Sequence, residues 1–175
     1  DKNLGRYLAN KSGRKMLFWD ASCEVHILFN AQHLHNLKRE HPDAVIIAHP
    51  ECDDGVLSQC DVIGSTSRLL EEVQKNPAKK FIVATEEGIF HQMRKSRPDA
   101  TILQAPIDEA CSCNQCPYMK LNSLEKIRNA LRDLKPEVTL KPEVAKLAKV
   151  SLDRMMTITN GSSVSWPDKF VAPNF

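Results

Sequence analysis

Ala44-Val45-Ile46-Ile47-Ala48-His49-Pro50-Glu51-Cys52 holds five apolar residues in a row and then turns abruptly polar. The run is β-branched at its centre, too short for a helix, and apolar at consecutive rather than alternating positions. Those are the marks of a strand buried on both faces. Residues 15–19 (KMLFW), 61–63 (DVI), 81–84 (FIVA) and 101–103 (TIL) have the same character. Between the runs lie 28–40, 68–76 and 88–97, where apolar residues recur at helical spacing with charges opposite. Strand alternating with helix predicts short parallel strands, an α/β class and a three-layer αβα arrangement.

Punctuation frames these elements. A first helix over about residues 4–10 is closed by Gly13 at a C′-like position, and a last one over about 143–158 opens with Pro142 in its first turn. From Thr159 onward the helical period is lost and Gly161, Pro167 and Pro173 intervene, which predicts a tail over 159–175.

Composition bounds the function classes. Across 175 residues, hydrophobic residues make up 42% and charged residues 26%, values of a folded globular chain rather than a disordered one. The longest apolar run, 44–48, is far too short for a bilayer-spanning helix. A net charge of +2, with both signs interspersed, lacks the basic stripe of a nucleic-acid binder. The start Asp1-Lys2-Asn3-Leu4-Gly5 has no initiator Met, signal h-region or transit peptide, so it reads as the interior of a longer chain. Of six cysteines, Cys111, Cys113 and Cys116 crowd together, a pattern of metal binding or redox chemistry in a reducing, cytosol-like compartment. There the sequon Asn160-Gly161-Ser162 is accidental, and Cys52 and Cys60 read as small buried hydrophobes.

In open parallel sheets, ligands bind beyond the carboxyl ends of the strands. That edge should carry Cys23-Glu24-Val25-His26, His49-Pro50-Glu51, Gly64-Ser65-Thr66-Ser67, Thr85-Glu86 and the cysteine cluster. Gly64 to Ser67 sits at a helix start, so it is either an ordinary hydroxyl N-cap or a seat for an anion. His49 and Glu51 flank a Pro that stiffens the loop, so they are either structural or an acid/base pair. Clustered thiolates suit iron or zinc, and the possible partners for a closed zinc site, Cys23 with His26 or His33 with His35, form no recognised knuckle or ribbon.

Six motifs resemble the quinolinate synthase family in order and spacing, from residue 1 to about 158. They are Lys2-Asn3-Leu4-Gly5, the stretch from Trp19 to His26 with Cys23-x-x-His26, Ala48-His49-Pro50-Glu51-Cys52, Gly64-Ser65-Thr66-Ser67, Ala84-Thr85-Glu86-Glu87-Gly88 and Cys116-Pro117-Tyr118-Met119-Lys120-Leu121-Asn122. The resemblance implies an enzyme of NAD biosynthesis that condenses iminoaspartate with dihydroxyacetone phosphate, losing phosphate and two waters to give quinolinate. It implies a 4Fe-4S cluster held by one cysteine from each of three αβα domains in pseudo-threefold array, with one iron left open to substrate. Carried over, two of the cluster ligands fall on Cys23 and Cys116, the substrate-contacting His-x-Glu pair on His49 and Glu51, and the anion-binding hydroxyl on Thr66 with Ser65 beside it. His26 also matches a family position, without an assigned role.

The same resemblance divides the chain into 1–22, the end of a preceding domain; 23–110, a complete αβα domain; 111–158, a segment completing the first domain; and the tail. The family's first domain and most of its second are missing, and with them the first cluster cysteine, a substrate-binding His and Ser, and a Tyr-x-Asn pair. Cys111-x-Cys113-x-x-Cys116 is one residue shorter than the Cys-x-x-Cys-x-x-Cys of some members. The expected partner is the missing N-terminal half, and the expected setting is cytoplasmic or plastid. Two other readings come with the same residues: a non-catalytic metal-binding module, and a split or truncated piece acting as scaffold.

Overall fold

The computed structural model describes residues 1–107 and 114–160. In chain order these form α1 (Lys2–Ser12), α2 (Ala31–Glu40), β1 (Val45–Ala48), α3 (Asp54–Leu57), β2 (Val62–Ile63), α4 (Thr66–Lys75), β3 (Lys80–Ala84), α5 (Phe90–Ser96), β4 (Thr101–Gln104), α6 (Leu124–Asp133) and α7 (Pro142–Thr159). Single 3-10 turns occur at His26–Leu28, Glu87–Ile89 and Met119–Leu121.

Four strands pair in the order β2-β1-β3-β4, every pair parallel. Because successive strand side chains point to opposite faces, each apolar run feeds two cores at once. Ile46, Ala48, Ile82 and Ala84 face Phe29, Leu34, Cys52, Val56 and Leu57, with Tyr7 of α1 packed against them. Ile47, Phe81, Val83 and Ile102 face Leu69, Val73, Phe90 and Met93 of α4 and α5. The result is the expected α/β class with helices on both faces of a parallel sheet.

The helix ends follow local chemistry. Asp1 caps α1 through Leu4 N–H, and Gly13 closes it at φ 67°, a left-handed conformation that glycine adopts without penalty. Pro142 stands at the first turn of α7, as expected. Arg97 donates to the carbonyls of Val73, Asn76 and Ala78 at 2.9, 2.7 and 3.1 Å, which satisfies chain ends around the exit of α4 and fastens them to the entry of β3.

Two expectations do not match. Residues 15–19 form no strand: the segment has no ladder partner among the described residues, and Leu17 and Trp19 are 88% and 81% exposed. A strand exists only through its neighbour, and periodicity cannot say whether one is at hand. Residues 124–133, given no helix by the sequence reading, form α6, capped by Ser123 accepting from Lys126 N–H at 3.2 Å.

The described residues divide into two compact units, one running up to Asn122 and one from Ser123 on. The first holds the sheet and α1. Asn3 donates to the Glu51 carbonyl at 3.1 Å, and Arg6 pairs with Asp54 at 2.7 Å. In the second, α6 and α7 bury no residue, and Leu124 is 87% exposed.

Candidate functional site

Beyond the carboxyl end of β1 the chain makes a tight turn, closed by Cys52 N–H donating to the His49 carbonyl at 3.1 Å with Pro50 at its second position. A fixed φ suits that position. Pairing continues past the strand: His49 N–H donates to the Ala84 carbonyl at 3.0 Å, and Gly64 N–H to that of Ala48 at 3.1 Å. The loops after β1, β2 and β3 are thus aligned by backbone bonds.

His26 is the centre of the site. Its 3-10 turn follows a loop fastened at both ends, by Cys23 N–H donating to the Asp1 carboxylate at 2.7 Å and Asn30 N–H donating to the Pro106 carbonyl at 3.0 Å. The imidazole is 7% exposed and stacks on His49, with centroids 4.4 Å apart and planes 18° off parallel. Its Nε2 lies 3.1 Å from Thr85 Oγ1. Nδ1 lies 3.0 Å from Glu51 Oε2, out of line for a hydrogen bond, so that this buried atom has no hydrogen-bond partner. Glu51 N–H points to His49 Nδ1 at 3.4 Å, which makes Nε2 the proton-bearing atom of a neutral His49 ring. The same Glu51 oxygen is 3.5 Å from His49 Nδ1.

Burial first and the charge of His49 second, offset in part by Glu51 and Glu86, together lower the His26 imidazole to about 4. Burial lowers His49 as well, again with Glu51 opposing. A basic group whose folded pKa lies below its unfolded value leaves the unfolded state binding more protons, so folding stability is lost as the pH is lowered. For His26 the window runs from about 6.5 down to about 4, with full stability above it. Urea unfolding of the metal-free chain should therefore show a loss of about 1–3 kcal/mol between pH 7 and pH 4.5. His26→Gln should flatten that slope; an unchanged slope would mean that His26 does not titrate in this window.

Cys23 belongs to the same group: its Sγ, a His26 ring nitrogen and a Glu51 carboxylate oxygen lie within 4.8 Å of one another. Cys116 stands beside the loop after β3. Its N–H faces Glu86 Oε1 at 3.5 Å, and Lys120 Nζ is 3.7 Å from the same oxygen. Glu87 N–H donates to the Asn114 carbonyl at 3.1 Å, which anchors the segment entering Cys116. Cys111 and Cys113 lie outside the described residues. Cys52 and Cys60 are free thiols whose Sγ atoms face the carbonyls of Ala84 and Val56 at 3.6 and 3.2 Å. Burial raises both, Cys60 to about 12, so they stay protonated.

At the start of α4, Ser65 takes the capping role, its hydroxyl accepting from Arg68 N–H at 3.3 Å. Thr66 is the first helical residue and is exposed. The pairing of Ala48 with Ile63 puts this helix start at the same sheet edge as His49. Thr85, Asn3 and Glu86 support the site in ways that sequence alone did not assign. Thr85 and Glu86 were marked by following a strand, whereas Asn3 carried no signal beyond its motif.

The model of the family described as quinolinate synthetase A protein matches residues 1–157. The chain belongs to the quinolinate synthetase A family. It is 46% identical over 160 residues to the quinolinate synthase of Synechococcus, a match covering 91% of this chain and 50% of that protein. With the quinolinate synthase of Microcystis aeruginosa it shares 46% over 159 residues, again 91% and 50%. With that of Prochlorococcus marinus it shares 42% over 165 residues, 94% and 50%. The chain thus spans about half the length of the curated relatives it matches. Every residue of the His26 group lies inside the stretch matched to the quinolinate synthetase A family. Among the described residues no helix is long and apolar enough to cross a membrane.

Proposed function

We propose that this chain is the C-terminal portion of a quinolinate synthase that condenses iminoaspartate with dihydroxyacetone phosphate to form quinolinate for NAD biosynthesis. The observation that carries this reading is the gathering of Cys23, His26, His49, Glu51 and Cys116 along one sheet edge in a family member. The N-terminal half would supply the rest of a pseudo-threefold enzyme, in which residues 1–22 end one αβα domain, 23–110 form a complete one and 111–158 return to complete the first. The setting is cytoplasmic or plastid.

The donor set fits a 4Fe-4S cluster. Cys23 and Cys116 are free and partly exposed at the site edge, whereas Cys52 is buried and the half-buried Cys60 has its thiol turned to the Val56 carbonyl, both with thiols raised by desolvation. Thiolates are the ligands that iron–sulfur clusters take. In this reading Cys23 and Cys116 hold two irons and the N-terminal half brings the third cysteine. When bound, the cluster supplies a Lewis-acidic iron with an open position for substrate.

The chain's own residues do the rest. A neutral His49 carries a proton on Nε2 and can donate a hydrogen bond from it to a departing oxygen. The Glu51 carboxylate can accept a proton from substrate carbon or nitrogen, and its position is fixed through its own backbone by Asn3. Since Ser65 already caps α4, the Thr66 hydroxyl and the helix N-terminus are available to a carboxylate or phosphate.

Anaerobic reconstitution tests the ligand assignment. With a separately expressed N-terminal half, four irons and visible cluster absorption are expected. Cys23→Ser and Cys116→Ser should each lose them, and Cys60→Ser should keep them. Stable four-iron binding by this chain alone that survives Cys23→Ser would overturn the assignment.

A further inference from the structure

We propose that Cys23 Sγ, His26 Nδ1 and a Glu51 carboxylate oxygen form a site for one borderline divalent cation of the zinc class, competing with the cluster for Cys23. A ring nitrogen of His26, Cys23 Sγ and a Glu51 carboxylate oxygen lie within 4.8 Å of one another, and His26 Nδ1, 3.0 Å from Glu51 Oε2, is a buried atom without a hydrogen-bond partner. A ring nitrogen lone pair 3.0 Å from a carboxylate oxygen is repulsive unless a positive charge lies between them or beside them. An in-line proton would supply that charge, but the contact is out of line for a hydrogen bond. A cation coordinated by both atoms satisfies both.

The surroundings match what a metal-bound histidine requires. Such a ring gives its other N–H to an oxygen, which sets the tautomer and aims the free lone pair. Thr85 Oγ1, 3.1 Å from Nε2 and fully buried, is placed to accept that hydrogen and leave Nδ1 as the ligand atom. The reverse tautomer would turn Nδ1–H toward Glu51, where no aligned bond forms. The His26 ring is further held against the His49 face. One thiolate, one neutral imidazole and one carboxylate balance a 2+ charge, and three protein ligands leave a fourth position for water. Mixed sulfur, nitrogen and oxygen donors select zinc or cobalt over magnesium or calcium.

The inference shares Cys23 with the cluster reading but makes no use of Cys116, so the two can fail separately. The test is titration of the chelator-stripped 175-residue chain with Co²⁺, followed by displacement with Zn²⁺. One equivalent of Co²⁺ should bind, with a near-ultraviolet thiolate charge-transfer band and intense tetrahedral visible bands, all erased by Zn²⁺. Cys23→Ser should lose the charge-transfer band. His26→Gln and Glu51→Gln should weaken binding at least about tenfold, and Thr85→Val about tenfold, through the ring it orients. Circular dichroism of each variant separates lost binding from lost folding, and Cys116→Ser should bind as the wild type does. Absence of the band, its survival in Cys23→Ser, its loss in a folded Cys116→Ser, or wild-type affinity in a folded His26→Gln would each overturn the proposal.

Discussion

His49→Ala, made in the enzyme completed by its N-terminal half, is expected to abolish measurable quinolinate formation while leaving the fold in place. His49 sits outside both hydrophobic cores, on a turn set by Pro50 and by backbone bonds that its side chain does not make. Removing the ring forfeits a stacked contact with His26 and the Nδ1 acceptor for Glu51 N–H, a loss of about 1 kcal/mol for a partly exposed side chain. Removing a positioned acid or base lowers turnover by about 10²–10⁴. The pair of measurements, product formation and melting temperature, therefore separates chemistry from folding. Near-normal turnover would return His49 to a structural role.

Phe81→Ala should do the opposite, unfolding much of the chain without touching the site edge. Phe81 is fully buried in β3, on the face covered by α4 and α5, and it pairs in register with Val45 on one side and Ile102 on the other. Truncating a buried aromatic costs about 3–5 kcal/mol in lost transfer energy and cavity formation. Set against a total stability of about 5–15 kcal/mol, that is enough to move the urea midpoint far down or to prevent folding. Leu17→Ser, on the exposed 15–19 segment, is the comparison and should shift stability by about 0.5 kcal/mol or less. A shift below about 1 kcal/mol for Phe81→Ala would mean that the second helical layer does not pack on β3 as described.

The contrast between Phe81 and Leu17 also shows how far sequence reaches. Both lie in short apolar runs that read alike, yet one is a central strand and the other is an exposed connection. The four runs that did become β1 to β4 could be read because a strand buried on both faces needs consecutive apolar residues. Gly13 and Pro142 could be read because a left-handed φ and a missing N–H are properties of single residues. At the site, His49, Glu51, Cys23 and the hydroxyl pair were marked by residue type, strand-end position and family resemblance.

Other features depended on distance in space. Ser65 rather than Thr66 caps α4, because the cap goes to whichever residue leaves the helical φ and ψ first. His26 and Glu51 are twenty-five positions apart, Thr85 lies thirty-four beyond Glu51, and Asn3 comes from the first helix. Their meeting depends on the parallel register that sets the ends of β1 and β3 side by side, and on a loop tied to Asp1 and Pro106. Period, cap and turn are local energies written in adjacent residues. Which nitrogen of His26 faces which oxygen is decided only when the burial of two sheet faces fixes those residues to one edge.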